Sequence, residues 1–441
     1  MAKIVFVGAG SFGFTRGLVR DLLTFPTMRD ATIGLVDTNK ERLRFAVRAV
    51  NKIIDQGGYP ATVQASTDRR EMLPGADGVL VTILCGSTRV WRHDILIPKQ
   101  YGVDVTIGDT RGPSGVFRAL RTIPEMLAIC RDMEELCPDA LMLNYTNPMA
   151  MLCHAMQRSS PIEATGLCHS VQGGARKLER WMNLKPHSMD YVCAGLNHLS
   201  WYLKLERNGR DLYPRLKRKV RSDPDVYWQE PVRNEMLLHL GYFVTEGSGH
   251  NSEYNWWFRK RPDLIRHFFR GGKGLNTGTN AYLLKMYQAR EKTWKQGIRE
   301  WLARPEIDLA RGHEYAASIL HARLGGELFP FNGNVPNHGL VTNLPAGCCV
   351  EIPCVATRAG VRPLHVGDLP MPVLGLTHLT ANNHMLAVEG ALTADAGLVY
   401  QAIAHDPLTA AKLSLAEARK MTRDMFRRNR RHLPQFKQIN L

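Results

Sequence analysis

Long hydrophobic runs are missing from this 441-residue sequence. No stretch approaches the roughly 18 consecutive apolar residues that span a bilayer, which excludes a helical membrane anchor. The amino terminus offers one lysine and four apolar residues before Gly8, too little for a signal-peptide core, so a cytoplasmic protein is expected. Acidic residues are scarce: 41 Asp and Glu face 57 Lys and Arg, a formal charge of +16. The surplus gathers between Arg215 and Arg221 and at Arg427, Arg428, Arg430 and Arg431, without the interleaved aromatics of a nucleic-acid module. These clusters read as solvated surface and helix-end cations, and no nucleic-acid partner is expected. The nine cysteines are odd in number and scattered, which argues against a disulfide framework and for a reducing compartment. Repeats and low-complexity tracts are also lacking, so the chain must build an ordinary packed core.

What is present is alternation. Apolar runs at 3–7, 32–36, 62–65, 78–84 and 140–143 read as strands, and segments with helical spacing at 15–23, 38–54 and 119–136 fall among them. Strands and helices in turn call for an α/β fold with a doubly wound parallel sheet. Beyond Gly166 the pattern loosens, with strand-like segments at 191–194 and 200–205 and long helical stretches at 281–299 and 381–404. A mixed α+β domain packed over the sheet is expected, with domains at 1–190 and 191–441.

The first strand ends in Gly8-Ala9-Gly10-Ser11-Phe12-Gly13, a G-x-G-x-x-G turn that opens a helix, and Asp37 closes the next strand. In that context the glycines permit a tight turn and close backbone approach to a pyrophosphate seated on the helix N-terminus. Asp37 can accept hydrogen bonds from a ribose diol and repels a 2′-phosphate. The first 190 residues are therefore expected to bind NAD rather than NADP.

Further along, Gly166-Leu167-Cys168-His169-Ser170-Val171-Gln172, Ala194-Gly195-Leu196-Asn197-His198 and Asn147-Pro148-Met149 together resemble glycoside hydrolase family 4, and most closely its α-galactosidase (melibiase) branch. Ile107-Gly108-Asp109-Thr110, Tyr242-Phe243-Val244-Thr245-Glu246, Asn334-Val335-Pro336-Asn337 and Asp406-Pro407-Leu408-Thr409 fit as well, so the likeness covers nearly the whole chain. The resemblance implies a glycosidase outside the two-carboxylate scheme. NAD oxidises the sugar at C3, a base removes the acidified C2 proton, the glycosidic oxygen is eliminated, water adds, and the ketone is reduced again.

The same resemblance implies the parts. Cys168 and His198 would ligate a divalent metal, usually manganese, with sugar hydroxyls and water completing its shell. Asn147 would hold those hydroxyls, and His169 is a further candidate for reaching the sugar. Asp109 is the candidate general acid, on the expectation that burial raises its pKa, and Tyr254 the candidate C2 base. A homodimer or homotetramer acting on a small-molecule glycoside is expected. Two departures stand out: Arg111-Gly112-Pro113-Ser114-Gly115 replaces a Gly-Pro-Gly-Gly continuation, and Glu246-Gly247-Ser248-Gly249-His250 replaces Glu-Ser-Ser-Glu-His. Arg111 could depress the Asp109 pKa or bind an anionic group, so an α-linked uronate is the first alternative substrate. A malate-type NAD-dependent dehydrogenase and a non-enzymatic NAD sensor are further alternatives.

The cofactor expectation has a direct check. Activity should vanish when NAD is stripped, return with NAD, and return poorly with NADP; full activity in rigorously NAD-free protein would exclude a redox cycle.

Overall fold

A computed structural model describes residues 1–441. The first half reads as its sequence patterns require. Strands β1 (Lys3–Val7), β2 (Thr32–Val36), β3 (Thr62–Ser66), β4 (Gly78–Val81), β5 (Leu141–Asn144) and β6 (Ala164–Gly166) pair in parallel, in the order β3-β2-β1-β4-β5-β6. This is the doubly wound arrangement, and β1, β2, β4 and β5 are almost wholly buried because helices cover both faces.

The second half joins the same sheet. After the hairpin of β7 (Asp190–Leu196) and β8 (Leu199–Arg207), with the short β9 (Arg210–Asp211), the chain returns as β10 (Phe329–Pro336), β11 (Cys349–Thr357) and β12 (Gly360–Pro363). β10 runs antiparallel to β6, β11 antiparallel to β10, and β7 antiparallel to β11, giving one mixed twelve-stranded sheet. Helix Met371–Thr393 then packs over helices Gly112–Leu136 and Met149–Ser159.

One expected element differs. The stretch 381–404 is not one helix: Met371–Thr393 ends at Ala394 in the left-handed region, φ 56°, and a second helix, Ala396–Ala404, starts on the Asp395 cap. Periodicity survives such a break, because both pieces bury apolar residues. The strand-like segments near 191 and 200 are a hairpin whose turn is Asn197-His198. No helix is long and apolar enough to cross a membrane, and all nine cysteines are free thiols, with only Cys85 less than fully buried.

The loop between helix Ser87–Gln100 and helix Gly112–Leu136, which carries Asp109, is held by residues 150 positions away. The buried Glu253 carboxylate accepts the backbone N–H groups of Thr106, Ile107 (2.6 Å) and Gly108 (3.0 Å). The fully buried Arg259 guanidinium donates to the Asp104 carbonyl and carboxylate, both at 2.7 Å, and to the Thr106 hydroxyl at 3.0 Å. Each buried N–H that loses its acceptor costs about 1–3 kcal/mol. Glu253→Ala should therefore lower unfolding free energy by about 3 kcal/mol or more in denaturant titration. A loss well under 1 kcal/mol would show that water replaces the carboxylate and that the loop does not depend on it.

Candidate active site

The dinucleotide end is built first, because β1 and β2 place it. Gly8 has φ +94°, and a Cβ there would lie 2.5 Å from the Thr82 carbonyl oxygen; a Cβ on Gly10 would lie 2.5 Å from Asp37 Oδ2. Both positions admit only glycine. Gly13 differs: a Cβ there meets nothing within 4 Å, so the third glycine leaves room in the cleft rather than serving helix packing. Helix Phe12–Leu23 has no side-chain cap at its N-terminus, which leaves its first N–H groups available to a phosphate. Asp37 accepts the Gly10 and Asn39 backbone N–H groups, each at 2.8 Å, which fixes its carboxylate at the mouth of the cleft. Arg42 is tied to the Gly10 carbonyl at 3.1 Å and lies 4.5 Å over the Trp294 ring. These residues line a cavity of about 1720 Å³ that includes Gly8, Gly10, Ser11, Phe12, Gly13 and Asp37. Its size and lining suit an extended dinucleotide.

At the carboxyl ends of β6 and β7 a second group of residues converges. Donor atoms of Cys168, His198 and Glu246 all lie within 4.8 Å of one another. Cys168 follows β6, His198 makes the β7–β8 turn with φ 63°, and Glu246 follows an isolated bridge to β8 with φ 62°. His198 Nε2 is 3.3 Å from Glu246 Oε2, while its Nδ1 lies 3.3 Å from both the Thr110 hydroxyl and the Tyr254 hydroxyl. The ring is thus held from one side with Nε2 aimed at the group. Burial pushes the His198 pKa down to about 4, so the imidazole is neutral, as a metal ligand must be. Burial acts to raise the Glu246 carboxyl, but His250 and His198 more than offset it, and the group is a carboxylate well below the usual range. The Cys168 thiol is pushed far up by burial and by the charges of Glu351 and Glu246. A cation among these three atoms would reverse that field and release the thiol proton. One thiolate, one imidazole and one carboxylate fit a borderline divalent ion.

The other candidate residues surround this group. Asp109 is buried, receives the Thr110 hydroxyl at 2.7 Å, and has the Asn147 amide 3.4 Å away. The expectation of a raised Asp109 pKa is overturned. Burial acts upward, yet His250, Arg118, His198 and the Thr110 hydrogen bond together bring it below the ordinary value. Arg111, offered as the depressing charge, is not among these causes: its guanidinium turns away, donating to the Thr380 hydroxyl at 3.3 Å and the Asn197 carbonyl at 3.2 Å, 4.3 Å over the Tyr254 ring. The Tyr254 hydroxyl pKa is pushed far up, first by burial and then by Asp109. His169 sits at the rim with its side chain 63% exposed, 3.6 Å from the Glu314 carboxylate.

Glu246 and His250 were not among the residues singled out from sequence as ligands or acids. The signal was spacing: a carboxylate and an imidazole four apart, now 3.4 Å from Glu246 Oε1 to His250 Nδ1, beside the Glu253-Tyr254 pair.

Comparison with known proteins identifies the family. The family model described as "Family 4 glycosyl hydrolase" covers residues 3–184, and that described as "Family 4 glycosyl hydrolase C-terminal domain" covers residues 193–409. The chain is 36% identical to an alpha-galactosidase of Bacillus subtilis over 99% of its own length and 100% of the relative's. It is 33% identical to an alpha-galactosidase of Rhizobium meliloti, over 98% of this chain and 89% of that one. A solved 6-phospho-alpha-glucosidase from gut microorganisms, in complex with NAD and Mn2+, superposes with a TM-score of 0.82 at 20% identity, covering 99% and 100% of the two chains. With both halves matched and full-length relatives above 30% identity, this chain belongs to the family 4 glycosyl hydrolases.

Proposed function

We propose that this protein hydrolyses α-galactosides with the help of NAD and a divalent cation, manganese first among them. The observation that carries the proposal is the convergence of Cys168, His198 and Glu246 beside Asp109, Asn147 and Tyr254, next to a dinucleotide cleft. The relatives' alpha-galactosidase activity supports the choice of sugar. When bound, NAD supplies reversible oxidation at C3 and the cation supplies a Lewis acid for the carbonyl so formed.

The chain's own residues do the remainder. Gly8, Gly10, Ser11, Phe12, Gly13 and Asp37 hold the dinucleotide. Cys168, His198 and Glu246 hold the cation, and Asn147 orients the sugar hydroxyls near it. Tyr254, as its phenolate, takes the C2 proton on the phenol oxygen and so returns to the hydroxyl form. Its raised pKa means that it acts as a base only with positive charge close by, and Arg111 over its ring already supplies some. Asp109 serves the departing oxygen in its protonated form and the incoming water in its ionised form. The lowered pKa favours the second role in the free site. Residues 1–190 carry the cofactor and 191–441 complete the sugar and cation site, a division supported by the limits of the two family models. Free, buried thiols fit a cytoplasmic setting, and we place the protein there as a homodimer or homotetramer.

A second reading rests on one observation: Arg111 is a buried guanidinium with its Nε hydrogen unpartnered, and the charge of Asp406 reaches it only without ion-pair contact. Burial pushes its pKa down to about 10, which still leaves it charged at neutral pH. A buried cation with no carboxylate in direct contact is costly, and a substrate carboxylate would satisfy it. That favours an α-linked uronate.

Two measurements test these readings. Hydrolysis in deuterated water should place deuterium at C2 of the released sugar, and Tyr254→Phe should suppress both turnover and exchange. A product still fully protonated at C2 would exclude elimination. Assayed side by side with NAD and Mn2+, nitrophenyl α-galactoside should be turned over at least roughly tenfold faster than nitrophenyl α-galacturonide. The reverse order would install the uronate as substrate.

A further inference from the structure

Cys168 and His198 stand at the ends of strands that are not neighbours: β10 and β11 lie between β6 and β7. The distance between the two side chains is therefore set across four strands. One cross-strand row crosses this span. Gly166 pairs with Asn334, Asn334 with Glu351, Glu351 with Gly195, and Gly195 with Ser200. Cys168 lies two residues past the row, just beyond the end of β6, and His198 three residues past it, in the turn after β7.

The side chains of that row are wired together. Glu351, Asn334, Asn197 and Ser200 are all 0% exposed. Glu351 Oε2 accepts the Ser200 hydroxyl at 3.0 Å, and Oε1 accepts the Asn334 and Asn197 amides at 3.3 and 3.4 Å. The Asn334 amide also donates to the Gly166 carbonyl at 3.1 Å, and the Ser200 hydroxyl lies 2.9 Å from the Leu196 carbonyl. One carboxylate thus reaches the backbone just before Cys168 through one amide. Through Asn197 and Ser200 it reaches both flanks of the turn that bears His198. It has no cationic partner among these contacts, so the row carries a buried charge that an apolar side chain of the same size would avoid.

We propose that Glu351 is a positioning residue that sets the separation and orientation of Cys168 and His198 by holding the β6 and β7 ends through Asn334, Asn197 and Ser200. The inference rests on the reading of Cys168 and His198 as cation ligands. An ionised carboxylate offers acceptors only, which matches the three donors aimed at it. Glu351→Met keeps an unbranched side chain of similar length but removes both acceptors, so the Asn334 and Asn197 amides lose the group that joins them and the row must open. Glu351→Gln could still hold both amides, because the Ser200 hydroxyl can accept from its N–H2 while giving its own proton to the Leu196 carbonyl.

The test uses the full chain, stripped of metal, at pH 8, above the value of about 7 to which burial pushes the Glu351 carboxyl. Mn2+ binding is followed by the loss of the free-ion electron paramagnetic resonance signal, and Co2+ binding by the absorption of the thiolate-bound ion. Glu351→Met and Asn334→Ala should each weaken Mn2+ binding roughly 10- to 100-fold and shift the Co2+ spectrum. The double variant should be no weaker than the poorer single, since both residues act in one chain of contacts. A merely structural role would lower the melting temperature of the metal-free protein and leave affinity and spectrum of the folded protein alone. Folded Glu351→Met that binds Mn2+ within about twofold of wild type overturns the proposal. If Glu351→Met does not fold, Asn334→Ala decides by the same criterion. If Cys168→Ser binds Mn2+ as well as wild type does, the cation-ligand reading fails instead, and this inference falls with it.

Discussion

The junction between β6 and β10 is short, yet the second half of the molecule depends on it. A parallel sheet can be extended only by strands whose backbone donors and acceptors meet its edge, and β6 contributes three residues to that edge. Asn334 meets Gly166 there, and its amide also donates to the Gly166 carbonyl at 3.1 Å. A side chain at Gly166 could not be accommodated: a Cβ would lie 2.5 Å from Met149 Sδ and 2.6 Å from Cys153 Sγ. From this join the antiparallel strands β11, β7 and β8 follow in turn, and they carry His198 to the same side as the Cys168 turn. A parallel strand at that edge would need a long crossover and would present its ends differently.

Much of this was legible in the chain. The glycine turn after Lys3–Val7, the aspartate after Thr32–Val36 and the alternation of strands with helices state the parallel half without ambiguity, because each signal is local. Cys168 and His198 came from motifs and lie together in the structure. Glu246 was harder to see, because its role depends on a bridge between Val244 and Trp201 and on a left-handed backbone that no periodicity announces. Glu351 was invisible: within Cys349–Thr357 it occupies a buried strand position where an apolar residue is the rule, and only the cross-strand pairing shows what it touches. Sequence reasoning gave Asp109 a raised pKa from burial and looked to Arg111 for any opposing charge. The side chains that act in the opposite direction are His250, Arg118 and His198, and the two histidines are far from Asp109 in sequence.

The site is electrostatically graded. Toward the dinucleotide cleft, Asp37 and Arg42 face the solvent-open cavity and their backbone partners. Toward the sugar, a carboxylate, a thiol, an imidazole and a phenol are packed without bulk water, where each charge is felt strongly by the next. Each protonation state there is coupled to the others. Burial first, and then two nearby carboxylates, keep the proton on the thiol; His250, ahead of His198, brings the Glu246 pKa down; and burial keeps the His198 imidazole neutral.

His198 and Glu246 both hold left-handed backbone conformations that L-residues with side chains adopt reluctantly. Neither position gains stability from its residue; glycine would relax the chain at both, and would remove the imidazole and the carboxylate that give the pocket its chemistry. Folding and function thus make opposed demands on the same two peptide units. In a lineage that lost the need for the reaction, these are the positions where drift would meet the least resistance.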